Sequence, residues 1–273
     1  HNDDSGSVDE QAYIEKLTSD VRVVSIVHTS PVTGMTVDLE KITKEVRNVT
    51  PDCIIIVDGI QHSSHGAIDV QKYDIDGYVV SPYKMFSRHG YGVAWASDRL
   101  CTLNKEQLTG GPFQNWELGT RDAGSYATFS DVVDYLDWLG SNFTESENTR
   151  ERLEASSIAI KSHEQELVDL VINGAEDIVG LRNNKKIRII GNSASTSREG
   201  VVSFFHKNKP SSIIVEELRQ RKIRVHIRKD DHYCGNILRP LNQKDCIRFS
   251  ICHYNSKAEV VEFMKAINEI SAN

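Results

Sequence analysis

Two β-branched runs in this sequence end on residues able to do chemistry. Ile54 to Val57 is followed by Asp58 and, three residues on, by Gln61. Tyr78 to Val80 is followed by Ser81, Tyr83 and Lys84. Ligands of open α/β sheets bind outside the carboxyl ends of the strands, so a carboxylate and an amine at two such ends are expected to face one pocket. That pair suits Schiff-base chemistry, in which a carboxylate keeps a pyridinium nitrogen protonated and a desolvated lysine attacks an aldehyde. A simple Asp58–Lys84 ion pair, or two unrelated surface charges, accounts for the same spacing.

The elements that must position these residues are legible from their periodicity. Val21 to His28 (VRVVSIVH) reads as a short buried strand ending in the loop Thr29-Ser30-Pro31. Leu39, Ile42, Val46 and Val49 repeat at helical spacing until Pro51, and Cys53 to Val57 forms a second strand. Strand, helix and strand make a βαβ unit, which implies a parallel sheet. Gly77 to Val80 and Gly92 to Ala96 are the third and fourth strands. Tyr126, Phe129, Val133, Leu136 and Leu139 mark a helix that stops at Gly140.

A long amphipathic segment, Arg150 to Val171, contains no turn residue and reads as a helix bridging two domains. The boundary is set near 141, giving 1–140 as the later part of a large domain and 141–273 as a linker helix with a small α/β or α+β domain. In the latter, strand-like runs at Ile187 to Ile190, Val201 to Phe205, Arg224 to Ile227 and Cys246 to Cys252 alternate with helices at Ser212 to Arg219 and Ser256 to Ile270. The last helix opens with a capping box, Ser256 and Glu259.

Composition excludes several classes. Of 273 residues, 32 are basic and 39 acidic, a formal charge of −7, which gives no electrostatic grip on nucleic acid or anionic lipid. No run approaches the length of about 20 apolar residues that a membrane helix needs. Five cysteines, odd in number and without CxxC spacing, fit a reducing compartment, so a cytoplasmic location is expected. His62 and His65 do not make a metal site without a third ligand. Gly90-Tyr91-Gly92 has no helix after it, so it is read as a tight entry to the next strand and not as a dinucleotide loop.

The stretch from Val57 to Gly92, VDGIQHSSHGAIDVQKYDIDGYVVSPYKMFSRHGYG, resembles the signature of the class V aminotransferases, the fold type I pyridoxal-phosphate enzymes that include cysteine desulfurases. That family shows an aspartate, a glutamine three residues later, and a serine shortly before the cofactor lysine. The resemblance implies that Lys84 forms the Schiff base with pyridoxal phosphate and shuttles the substrate α-proton. It also implies that Asp58 pairs with the ring nitrogen, that Gln61 bonds the phenolic oxygen, and that Ser81 and Tyr83 bind the phosphate. Tyr83 stands where the desulfurases usually have histidine, and a tyrosine hydroxyl still donates one hydrogen bond. Gly119-Thr120, after Trp116-Glu117, resembles the turn whose threonine reaches the phosphate of the neighbouring subunit's cofactor, which implies a homodimer. Arg248 in IRFSICHYN resembles the arginine that clamps the substrate carboxylate, a task suited to a planar fork.

Cys234 falls where desulfurases carry the nucleophilic cysteine, with His232 beside it, and on that resemblance it is a catalytic candidate for C–S cleavage. Its context, DDHYCGN, departs from the family's, and an incidental loop thiol is the competing reading. Pro31 is a second departure, standing where the family has an asparagine near the ring. Transamination, racemisation or another elimination would use the same ring chemistry. A non-catalytic subunit that keeps the fold is the reading from a different class; retention of Asp58, Gln61, Ser81, Lys84, Thr120 and Arg248 together argues against it. The likeness runs over nearly all of this chain but only the later part of the family's domain. The family's phosphate-cradling helix and ring-stacking side chain are therefore expected on a segment upstream of this sequence.

Overall fold

The computed structural model describes residues 5–7, 10–113, 115–116, 118–120, 122–192 and 198–272. The chain divides into two compact units. One holds residues 16–28 and 38–158; the other holds 1–15, 29–37 and 159–273. A short helix α1 (Glu10–Ile14) belongs to the latter.

The first unit is built on a four-stranded sheet ordered β1-β2-β3-β4, from β1 (Val23–Val27), β2 (Ile54–Asp58), β3 (Gly77–Val80) and β4 (Val93–Ala96). The first three strands run parallel, and β4 joins antiparallel. The parallel expectation stops at β3 because the segment after it turns back through a one-turn 3-10 helix, Pro82–Met85, with no crossover helix long enough to return the chain to the same end. Ile26, Val57 and Tyr78 are register partners, as are Val24 and Ile55. These alternate residues share one buried face, so the β-branched pattern that makes the strands also fixes their register.

Helix α2 (Leu39–Val49) connects β1 and β2 and buries Leu39, Ile42, Thr43 and Val46. Asp38 caps it by accepting from the Lys41 amide at 3.0 Å, a bond contributing about 1 kcal/mol. Two helices follow β4: the single turn α3 (Asp98–Cys101), capped by Ser97, and α4 (Ala123–Gly140), capped by Asp122. The 25-residue α5 (Thr149–Asn173) begins in this unit and ends in the other.

The second unit pairs a small hairpin, β5 (Gly174–Ala175) with β6 (Ile178–Val179), and an antiparallel sheet ordered β7-β8-β10-β9. Its strands are β7 (Ile187–Ile189), β8 (Val201–His206), β9 (His226–Lys229) and β10 (Asp245–Ser250). Helices α6 (Ser211–Gln220) and α8 (Lys257–Ala272) flank the short α7 (Gly235–Leu238) in sequence. Every residue of β8 is buried. Val202 and Phe204 enter a large core with Ile214, Leu218, Phe263 and Ile267, while Phe205 enters a second cluster with Cys234, Leu238 and Cys246. The capping box is formed as expected: the Glu259 carboxylate accepts from the Ser256 amide at 2.6 Å, and Ser256 Oγ accepts from the Glu259 amide at 3.3 Å.

Candidate active site

The carboxyl ends of β2 and β3 carry the candidate residues of the first unit. Asp58 is the last residue of β2 and lies opposite Val79 of β3. Its Oδ1 accepts from the Ile60 amide at 3.0 Å, which opens the turn leading to Gln61 and to the 3-10 turn His62–Ser64. Ser81 precedes the second 3-10 turn, whose first residue, Pro82, has its φ already set for helical entry. Lys84 sits within that turn, and its amide donates to the Ser81 carbonyl at 2.9 Å. The turn closes on Phe86 at φ 71°, a left-handed conformation that costs a non-glycine residue about 1 kcal/mol or more.

The two turns meet through side chains. Lys84 Nζ donates to Gln61 Oε1 at 3.0 Å, and the Gln61 amide nitrogen lies 3.0 Å from His65 Nε2. Gln61 and His65 are both buried. An aromatic group lies beneath the same strand ends. His28, directly after β1, stacks on His62 with ring centroids 3.7 Å apart, and its Nδ1 lies 2.9 Å from the Tyr78 hydroxyl. Burial, reinforced by the neighbouring His62, pushes the His28 pKa down to about 3, so His28 is neutral. Two glycines make the packing possible: a Cβ on Gly59 would fall 2.0 Å from a ring carbon of Tyr78, and one on Gly66 would fall 2.4 Å from the ring of His62.

The ends of β2 and β3 therefore carry Asp58, Gln61, Ser81, Tyr83 and Lys84, with Gln61 and Lys84 in direct contact. Tyr83 is largely exposed and its ring stacks on His89 at 4.4 Å. Thr120 is exposed in the loop before α4; Glu117 of the same motif lies outside the described residues. This donor set fits pyridoxal phosphate: an amine for the aldehyde, an amide for the phenolic oxygen, a carboxylate for the ring nitrogen, and two hydroxyl-bearing residues just before the lysine for the phosphate. His28 and His65 read from the sequence as residues that could line the pocket; Tyr78, and Tyr73 with its ring edge-on to His28 at 5.8 Å, carry no such signal. The signal available for His65 is its place four residues after Gln61, across a single turn. Among the described residues, no set of three His, Cys, Asp or Glu side chains comes together for a metal ion.

Arg248 and Cys234 belong to the second unit. Arg248, on β10, is half-buried and donates from Nη1 to the Pro31 carbonyl at 3.0 Å. The same loop is held by Ser203, which donates to Val32, and by the buried Arg198, which donates to the carbonyls of Thr33, Ile190 and Asn192. Burial lowers the Arg198 pKa to about 10. Cys234 immediately precedes α7 and is wholly buried among Val32, Phe205, Leu238 and Cys246. Burial raises its thiol pKa and outweighs the opposing pull of Arg228, so the thiolate is scarce at neutral pH. His232 is exposed and lies against the ring of Tyr233 at 4.0 Å.

Comparison with known proteins bears on this arrangement as a whole. The chain is 25% identical over 276 residues to a probable cysteine desulfurase of Mycobacterium leprae, an alignment covering 94% of this chain and 58% of that protein. It is 26% identical over 267 residues to an aminotransferase-like protein of Gibberella zeae, covering 93% and 60%. It thus spans about 60% of the length of each of these two relatives. Among solved structures, the apo cysteine desulfurase of Thermococcus onnurineus superposes with a TM-score of 0.78 at 20% identity, over 100% of this chain and 65% of that one. A cysteine desulfurase of Escherichia coli gives 0.74 at 21% identity, over 96% and 62%. These likenesses show the fold, the α/β architecture of the fold type I pyridoxal-phosphate enzymes. Aspartate, glutamine and lysine stand at the strand ends in the order the motif requires, and the family model for class V aminotransferases matches residues 1–263; the chain belongs to that pyridoxal-phosphate-dependent family.

Proposed function

We propose that this protein is a pyridoxal-phosphate enzyme acting at the α-carbon of an amino acid, with C–S cleavage of cysteine or a related sulfur amino acid as its reaction. The observation that carries this reading is the 3.0 Å contact between Lys84 Nζ and Gln61 Oε1 at adjacent parallel strand ends, one of which also presents Asp58. When bound, the cofactor supplies an aldehyde for imine exchange and a ring that accepts the electron pair released at the α-carbon.

The chain's own groups do the rest. Lys84 Nζ would hold the cofactor covalently, and its amine would take and return the substrate α-proton. The Asp58 carboxylate would pair with the protonated ring nitrogen. The Gln61 amide has two N–H groups, so it can bond His65 with one and orient the phenolic oxygen with the other. Ser81 Oγ and the Tyr83 hydroxyl bind phosphate oxygens, and Arg248 binds the substrate carboxylate through its fork. Thr120 completes the phosphate site of a second subunit in a homodimer, and the protein works in the cytoplasm.

The burial of Cys234 favours a second reading within the same chemistry: elimination, transamination or racemisation, none of which needs a protein thiol. Two variants test these readings. Lys84→Ala is expected to abolish the near-visible band of the cofactor-loaded protein, and an unchanged band removes Lys84 from its role. Cys234→Ser, assayed on cysteine with an added thiol reductant, is expected to lose alanine formation if a persulfide forms there; pyruvate with sulfide, a keto acid or the cysteine enantiomer, formed equally by parent and variant, selects the thiol-independent reading.

A further inference from the structure

We propose that His65 is a positioning residue that fixes which way the Gln61 amide faces, and through it the hydrogen-bond environment of the Lys84 amine. This deepens the reading that Lys84 carries the chemistry, and rests on it for its functional meaning. The geometry itself stands on two contacts: Gln61 Nε2 to His65 Nε2 at 3.0 Å, and Lys84 Nζ to Gln61 Oε1 at 3.0 Å.

An amide nitrogen offers only hydrogens, so His65 Nε2 must supply a lone pair. The imidazole is thereby held neutral, with its proton on Nδ1. If the amide turned over, its NH2 would face the Lys84 ammonium, donor against donor, and its carbonyl would be met only by an imidazole whose proton had moved to Nε2. The Lys84 contact and the Nδ1–H tautomer of His65 therefore select the same orientation. His65 and Gln61 are 3% and 9% exposed, which leaves bulk water little room to substitute for the lost partner. The selected orientation keeps Oε1 on the lysine and leaves the second amide hydrogen for an acceptor in the site.

The test uses the cofactor-free chain, so its outcome is separate from whether Lys84 captures pyridoxal phosphate. The pH profile of Lys84 acylation by trace acetic anhydride is read by peptide mass spectrometry. Removing the held acceptor, as in Gln61→Ala, is expected to lower the Lys84 midpoint by about half to one pH unit. His65→Ala is expected to move it in the same direction, and His65→Gln, whose side-chain carbonyl can replace the imidazole lone pair, to restore it. In the Gln61→Ala background, His65→Ala is expected to change nothing further, a result that a general packing role for His65 would not give. A His65→Ala midpoint equal to the parent's, or effects that add in the double variant, overturns the proposal. Should His65→Ala fail to fold, the ring nitrogens of His65 in the parent decide by long-range 15N–1H correlation: a proton on Nδ1 supports the assignment, and a proton on Nε2 overturns it. Coupling among these variants in a protein that takes up no cofactor leaves the inference standing while the functional reading falls.

Discussion

Gly59 and Tyr78 are packed so closely that a methyl group on the glycine would overlap the tyrosine ring, with a Cβ 2.0 to 2.3 Å from three of its atoms. The tyrosine cannot easily give way, because its hydroxyl is bonded to His28 and its backbone is paired between β2 and β4. Gly59→Ala is therefore expected to destabilise the protein by about 2 kcal/mol or more, seen as a lower urea midpoint, and to weaken cofactor retention at the adjacent Asp58. A variant with the parent's midpoint and retention would mean that the strand ends are loosely packed.

Much of this arrangement was legible in the sequence, for physical reasons that differ by element. β1, α2, β2 and β3 were readable because burial of one face imposes a period on the residues, as in Leu39, Ile42 and Val46. The capping box at Ser256 was readable because a cap is a local interaction. The hairpin Gly174–Val179 and the one-turn helices α3 and α7 were not, since elements this short carry no period. At the site, the order of Asp58, Gln61 and Lys84 was legible by resemblance. The Gln61–His65 contact and the aromatic stack on His28 depend on rotamers that no pattern encodes.

A charge cluster in the first unit lies at the opposite ends of the strands from Lys84. Asp76, buried before β3, accepts from Arg99 at 2.6 and 2.7 Å, from Arg47 at 3.1 Å and from the Ile55 amide at 2.8 Å. Burial alone would raise its pKa, but the hydrogen bonds from Arg99, Ile55 and Arg47 outweigh it and the net shift is downward. A carboxyl with a depressed folded pKa contributes stability above its unfolded value of about 3.9, and loses it as pH falls through the folded value. Asp76→Asn is expected to cost about 3 kcal/mol at pH 7, with the gap to the parent narrowing below pH 4 in urea titrations. A constant gap would contradict the charge account.

His28 acts in a different window. Its pKa falls from 6.5 to about 3 on folding, so the unfolded chain binds the proton more readily between those values. Stability from the neutral, buried ring is complete above pH 6.5 and is expected to drain away as pH falls toward 3, on the order of a few kcal/mol in all. His28→Gln should flatten the slope between pH 6.5 and 4.5. If NMR shows His28 titrating near 6.5 in the native protein, the assignment of a neutral ring is wrong.

Cysteine reactivity should follow burial. Cys101 is half-exposed, whereas Cys53, Cys234 and Cys246 are buried, with Cys246 pushed up to about 12 by burial. Iodoacetamide at pH 7.5 is expected to label Cys101 first and Cys234 only on unfolding. Native-state labelling of Cys234 at the rate of Cys101 would favour the persulfide reading over the thiol-independent one.

The central claim is that one amine, that of Lys84, is the covalent anchor for pyridoxal phosphate. Borohydride reduction of the protein after incubation with equimolar pyridoxal phosphate, followed by peptide mapping, measures this directly. The account expects a single dominant phosphopyridoxyl-lysine, at Lys84, which disappears in Lys84→Ala without reappearing elsewhere. Label spread over several surface lysines, with Lys84 no more modified than the rest, would contradict it.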